Sequence, residues 1–264
     1  MNNTIFDILA KGQTPRSLGL LEKPTSFSAI FNAPAAYDGS SVPLKLSGTK
    51  LAIPDYLMQF QEFIERSLAD YLDNDFSRDY QHTAARILIS QRHLDKNEPS
   101  IVKHAHLDTD YIEAVHGKRK VEDLYLASDI AEMTTRFFTS PVIFAPEEIK
   151  SIKKLPSSSL NKRFSYTLQS QCEASEIIDA QAYEIIHIEN TQPHSARTLP
   201  DREVFRTFAA LILKQAPINT SSAEANGSLR VKNKALFDEL LAQQEKPPAL
   251  QNGQAMTLHS LGLL

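Results

Sequence analysis

The chain has no tryptophan, one cysteine, eight glycines, and no apolar run near the roughly 20 residues needed to cross a bilayer. Each shortage excludes a class of protein. The lone Cys172 cannot close an intramolecular disulfide, so the fold must be held by packing, as in a reducing compartment. Cys172 follows Gln169, Ser170 and Gln171, with no cationic neighbour to activate a thiolate, and reads as an ordinary thiol. The few glycines form neither a G-x-G-x-x-G nor a Walker loop, so no nucleotide cofactor is expected, and no G-x-S-x-G elbow is present. An excess of basic charge is also missing. Against 32 acidic residues stand 28 Lys and Arg, a formal charge of −4, so no nucleic-acid partner is expected. The opening Met1-Asn2-Asn3-Thr4 lacks a basic region leading into a long apolar stretch and is not read as a signal peptide. The expectation is a cytoplasmic protein without a membrane partner.

What is present suits one packed domain: 264 residues, 42% hydrophobic. The pattern predicts a single domain with an N-terminal extension over 1–216 and a Ser-, Asn-, Ala- and Gln-containing appendage or partly ordered tail over 217–264. A short strand is expected at 26–31. Tyr56, Phe60, Phe63, Ile64, Leu68 and Tyr71 recur at helical spacing after Pro54, which predicts an amphipathic helix over 54–72. Strands are expected at 86–94, 124–127, 142–144, 183–189 and 203–213, and a short helix at 146–155 followed by a loop over 156–159. Short strands without regular strand–helix alternation argue for a mainly β or α+β fold rather than a doubly wound parallel sheet.

The chemistry concentrates at His106-Leu107-Asp108. In an extended segment, residues two apart share a face, so an imidazole and a carboxylate there can meet one cation. A second imidazole from a distant strand completes a triangular face, and His194, in the polar loop after the strand at 183–189, is the candidate. Two histidines and one carboxylate leave three coordination positions open, the pattern of non-haem iron(II) oxygenases. A surface histidine beside a solvated carboxylate is the plain alternative. Arg206 stands inside the apolar stretch EVFRTFAALIL, where a charge needs a partner. An arginine there suits a bidentate grip on a carboxylate, unless it faces solvent. His187 reads as a strand-surface residue or a support to a ligand. Asp110 is an alternative carboxylate on the same face.

These pieces, HLD at 106–108, YEIIHIENTQPH at 183–194 and REVFRTF at 202–208, resemble the 2-oxoglutarate/Fe(II)-dependent dioxygenase superfamily. The likeness covers about residues 85–213 and includes YLASD at 125–129 and TTRFF at 134–138. It implies a double-stranded β-helix, a jelly-roll or cupin-like fold with helices outside. It also implies oxidation of a substrate coupled to decarboxylation of 2-oxoglutarate. By resemblance, His106, Asp108 and His194 ligate iron(II). Arg206 binds the distal carboxylate of 2-oxoglutarate, and Tyr125 or Thr135 assists. Arg202 competes with Arg206, and Arg197 is a weaker rival. The implied substrate is a small molecule, an amino acid or its derivative first and a peptide second; the oligomeric state is not legible.

Two other readings stay open. His104-Ala105-His106-Leu107-Asp108 resembles the His-x-His-x-Asp signature of metallo-β-lactamase-fold hydrolases, which would bind zinc through His104, His106 and Asp108. That signature continues with a histidine where this chain has Thr109. The third reading is a non-catalytic binding protein on the β-helix fold.

Overall fold

The computed structural model describes residues 14–216 apart from 36, 38, 40, 97–103, 109–121, 132–133, 141, 143, 174 and 197–200. The expected appendage over 217–264, Asp110 and Arg197 lie outside the described residues. The chain divides into two compact units, Met1–Leu20 with His93–Arg206 and Leu21–Arg92 with Thr207–Leu264.

The first unit holds two antiparallel ladders. One orders β1 (Arg16–Leu20), β7 (Glu184–Glu189) and β4 (Asp123–Ser128) as β1-β7-β4. Its register sets Tyr125 opposite His187 and Asp123 opposite Glu189. The other orders β6 (Ile177–Asp179), β5 (Thr135–Phe138) and β8 (His194–Ala196) as β6-β5-β8, with Phe137 opposite His194. Helices α3 (Pro146–Ile152) and α4 (Ser157–Cys172) belong to the same unit.

The second unit carries α1 (Pro24–Phe27), a 3₁₀ turn (Asp55–Phe60) leading into α2 (Gln61–Asp73), and the strands β2 (Val42–Lys45), β3 (Thr83–Leu94, save its last two residues) and β9 (Val204–Gln215, from Thr207 on). These strands are ordered β2-β3-β9. Phe63, Ile64, Leu68 and Tyr71 of α2 are buried, at the i, i+1, i+5, i+8 positions of one helical stripe. Antiparallel sheets with a few helices make this a mainly β chain, as the sequence pattern predicted, of the jelly-roll, cupin-like class that the resemblance implied. Among the described residues no helix is long and apolar enough to cross a membrane.

Several local expectations are corrected. The strand expected at 26–31 is instead the short helix α1, because Pro24 pre-sets a first helical turn and Phe27 packs edge-on against Phe60 at 5.4 Å. The helix expected to begin at 54 opens as a 3₁₀ turn and becomes α-helical only at Gln61. Val142 and Phe144 are buried outside any strand among the described residues. The loop expected at 156–159 is the start of α4, sixteen residues long. That helix shows one apolar residue per turn, Leu160, Phe164, Leu168 and Cys172, and polar side chains at the i+3 positions between them. So narrow a stripe hides a helix from a search for i, i+3, i+4 repeats.

The stripe is nonetheless well buried. Leu160, Phe164, Leu168 and Cys172 pack with Ala105, Leu107, Phe138, Val142, Phe144 and Ile152, and Phe144 stacks on Phe164 at 4.8 Å. Each Leu, Ile, Val or Phe among them contributes roughly 1.5–3 kcal/mol by leaving water. Burial also pushes the Cys172 thiol up to about 12, which keeps it inert.

Candidate metal centre

Helix α4 is what positions the first two candidate ligands. Ala105 and Leu107 are buried in its core, at 2% and 5% exposure. Period-two alternation then turns His106 and Asp108 to the opposite side. The amide of Ala105 also donates to Gln169 Oε1 of α4 at 2.8 Å. The third candidate arrives by main-chain pairing. His106 and His194 form an antiparallel bridge, each amide donating to the other's carbonyl at 2.9 and 3.1 Å. His194 was expected in a loop. It opens strand β8, because its carbonyl and amide are taken up by His106 while β5 pairs along its other edge.

The result is a tight group. The ligating atoms of His106, Asp108 and His194 all lie within 4.8 Å of one another. His106 Nε2 is 3.9 Å from Asp108 Oδ1, and His194 Nε2 is 3.3 Å from Asp108 Oδ2. Donors held at about 2.1 Å from one ion at right angles would stand about 3 Å apart, so small rotations close the set around a cation.

The hydrogen bonds settle which nitrogen faces inward. His106 Nδ1 is 3.2 Å from the His104 carbonyl, and His194 Nδ1 is 2.9 Å from the Gln192 carbonyl. A carbonyl only accepts, so each Nδ1 carries a proton and each Nε2 is the nitrogen turned toward Asp108, free to ligate once it has no proton of its own. Burial, with the nearby His194, lowers His106 from its ordinary value to about 4, so it is neutral near pH 7, as a metal ligand must be. For His194, full burial works against protonation. The charge and hydrogen bond of Asp108 and the Gln192 carbonyl outweigh it and hold the imidazole above its ordinary value. A bound cation would replace that proton as the partner of the carboxylate. The donor set, two neutral-capable imidazoles and one carboxylate on one face, fits an iron(II) ion.

His104 does not join the group. Its residue is exposed, and it contributes its main-chain carbonyl to His106. The three-donor set of the hydrolase reading, which needs the His104 ring, is therefore not assembled here.

The remaining predicted residues are spread out. Arg206, half-buried on β9, donates through Nε to Ser128 Oγ of β4 at 3.2 Å. Arg202 is exposed, ahead of the strand. Tyr125 is fully buried and packs against His187, the two rings tilted with centres 4.8 Å apart. An odd separation along β4 turns Tyr125 away from the face on which Ser128 meets Arg206. Thr135 is buried opposite Ala196. His187 is pinned between strands, with Nε2 at 2.7 Å from Asp123 Oδ1 and Nδ1 at 3.4 Å from Arg16.

Sequence reasoning missed Ser128, Gln169 and Gln192. The one signal for Ser128 is its place two residues past Leu126 on the same face of a strand, which means nothing until the neighbouring strand is known.

No protein-family model matches the chain, and no curated protein matches it. Similar solved structures include AviO1 from Streptomyces viridochromogenes Tue57, at 7% identity and TM-score 0.40 over 79% of this chain and 94% of that one. HygX from Streptomyces hygroscopicus, solved with nickel and 2-oxoglutarate bound, is 11% identical over 84% and 92% of the two chains, with TM-score 0.42. SnoN, a non-heme alpha ketoglutarate dependent epimerase from nogalamycin biosynthesis, is 12% identical over 83% and 90%, with TM-score 0.38.

Proposed function

We propose that this protein is an iron(II)- and 2-oxoglutarate-dependent oxygenase acting on a small molecule. His106, Asp108 and His194 serve as the ligands, and Arg206 holds the distal carboxylate of 2-oxoglutarate. The observation that carries the reading is the convergence of two Nε2 atoms on one carboxylate, each imidazole oriented by a main-chain carbonyl behind it. Three ligands on one face leave the opposite positions for exchangeable partners. When bound, iron and the keto acid supply the oxidative chemistry.

The protein's own residues do three things. The Leu107 and Ala105 anchor holds the His-x-Asp segment rigid against α4. The paired carbonyls of His104 and Gln192 keep both imidazoles in the ligating tautomer. Ser128 accepts from Nε of Arg206 and so helps to hold the guanidinium in one orientation.

Anaerobic titration with iron(II), with and without 2-oxoglutarate, tests the assignment. A weak visible charge-transfer band that needs both components, and succinate formation once air is admitted, are the expected results. No band and no succinate would refute the co-substrate. Arg206→Met should weaken 2-oxoglutarate binding roughly 10- to 100-fold, the loss of one charge-assisted pair, with iron affinity unchanged. Arg202→Met should leave both unchanged; the reverse pattern would transfer the role to Arg202.

A further inference from the structure

The turn that delivers His194 is unusually polar for its depth. Asn190, Thr191 and Gln192 are all buried at 2–3% exposure. The Gln192 side-chain amide donates to the Phe138 carbonyl at 2.8 Å and reaches the Pro193 carbonyl at 3.4 Å. Pro193 O in turn accepts from the Phe138 amide at 3.0 Å, and Gln192 N donates to Glu189 O at 2.9 Å. The same residue's main-chain carbonyl accepts the Nδ1 proton of His194. Yet Gln192 Oε1 is buried with no hydrogen-bond partner among the described residues. An unpaired buried acceptor is destabilising, and an apolar side chain of similar volume avoids that penalty. Stability alone therefore does not explain a glutamine here.

Resting on the metal-site reading above, we propose that Gln192 is a positioning residue for the His194 ligand. Its side-chain amide clamps the turn to the last residue of β5 from one side. The clamp fixes the direction of its own main-chain carbonyl. That carbonyl holds the Nδ1 proton, and the imidazole is thereby aimed with Nε2 at Asp108. The clamp acts on the orientation of one ligand, so its loss loosens and tilts the ligand set without emptying the core.

Cobalt(II) titration followed by visible absorbance tests this on the full chain, using Gln192→Leu and Gln192→Met, both close to the parent side chain in volume and both lacking the donor. The expected result is a fall in cobalt affinity of about 10- to 100-fold. It should come with shifted d–d bands and an apo thermal midpoint within a few degrees of the parent. Ser195→Ala, one residue beyond the ligand, should bind cobalt as the parent does. Parent-like affinity and spectrum in both Gln192 variants would overturn the clamp while leaving the triad standing. Loss of the folded apo state in both would make Gln192 a purely structural residue and overturn it equally. A parent that takes up no cobalt would refute the metal site itself, and the clamp with it.

Discussion

Asp108→Ala should lose iron(II) by more than about 100-fold, a larger effect than removing any group that only supports a ligand. The carboxylate is the one anionic donor in the group, and both Nε2 atoms face it at 3.9 and 3.3 Å. Without it, two imidazoles remain with ring centres 4.2 Å apart. Two neutral nitrogens on one edge neither balance the charge of a divalent ion nor define a face. The fold itself should survive. Asp108 is exposed, and the burial that anchors the segment belongs to Ala105 and Leu107. The apo variant should therefore melt close to the parent, with calorimetric iron binding abolished and succinate production gone. Asp108→Glu should recover part of the affinity. Iron binding at the parent's level in the alanine variant would show that the triad is wrong.

The second large effect concerns stability. Lys45 is completely buried in the second unit, its Nζ bonded to the Leu46 carbonyl at 3.2 Å and 4.4 Å above the Tyr80 ring. Burial, only partly offset by the charge of Asp79, lowers its pKa from 10.5 to about 7. The unfolded chain keeps this proton up to about pH 10.5, whereas the folded chain releases it near pH 7. Between those values the unfolded state binds more protons, so stability must rise with pH. Below pH 7 both states are protonated and the full cost of burying the charge is present. The slope contributed by this one group is at most about 1.4 kcal/mol per pH unit, or about 2–3 kcal/mol between pH 7 and pH 9. Guanidinium unfolding at a series of pH values should show the rise in the parent and its loss in Lys45→Met, which should be at least as stable at pH 7. Parallel pH profiles for the two proteins would exclude Lys45 as the source.

How much of this was legible before the fold was known depends on the range of each interaction. His106 and Asp108 share a face because of a period of two residues, which is local and readable. The strands at β3, β4, β7 and β9 announced themselves through β-branched and apolar runs, and their bounds moved by only a few residues. Helix α4 did not, since its single apolar residue per turn becomes a core only when Ala105, Leu107 and Phe144 are brought against it. Likewise Gln192 reads as a polar loop residue until its carbonyl and amide are seen to serve His194 and Phe138.

The sequence by itself determined the donor types, the common face of His106 and Asp108, the slightly acidic charge balance and the β-rich class, because composition and short periods carry that information directly. Only the tertiary structure decided that His194 closes the group, that His104 stays outside it, and that Arg206 meets Ser128. The His106–His194 bridge and the Arg206–Ser128 bond join residues 88 and 78 positions apart. Such pairings depend on which strands become neighbours, and that is set by the burial of the whole core rather than by any window of the chain.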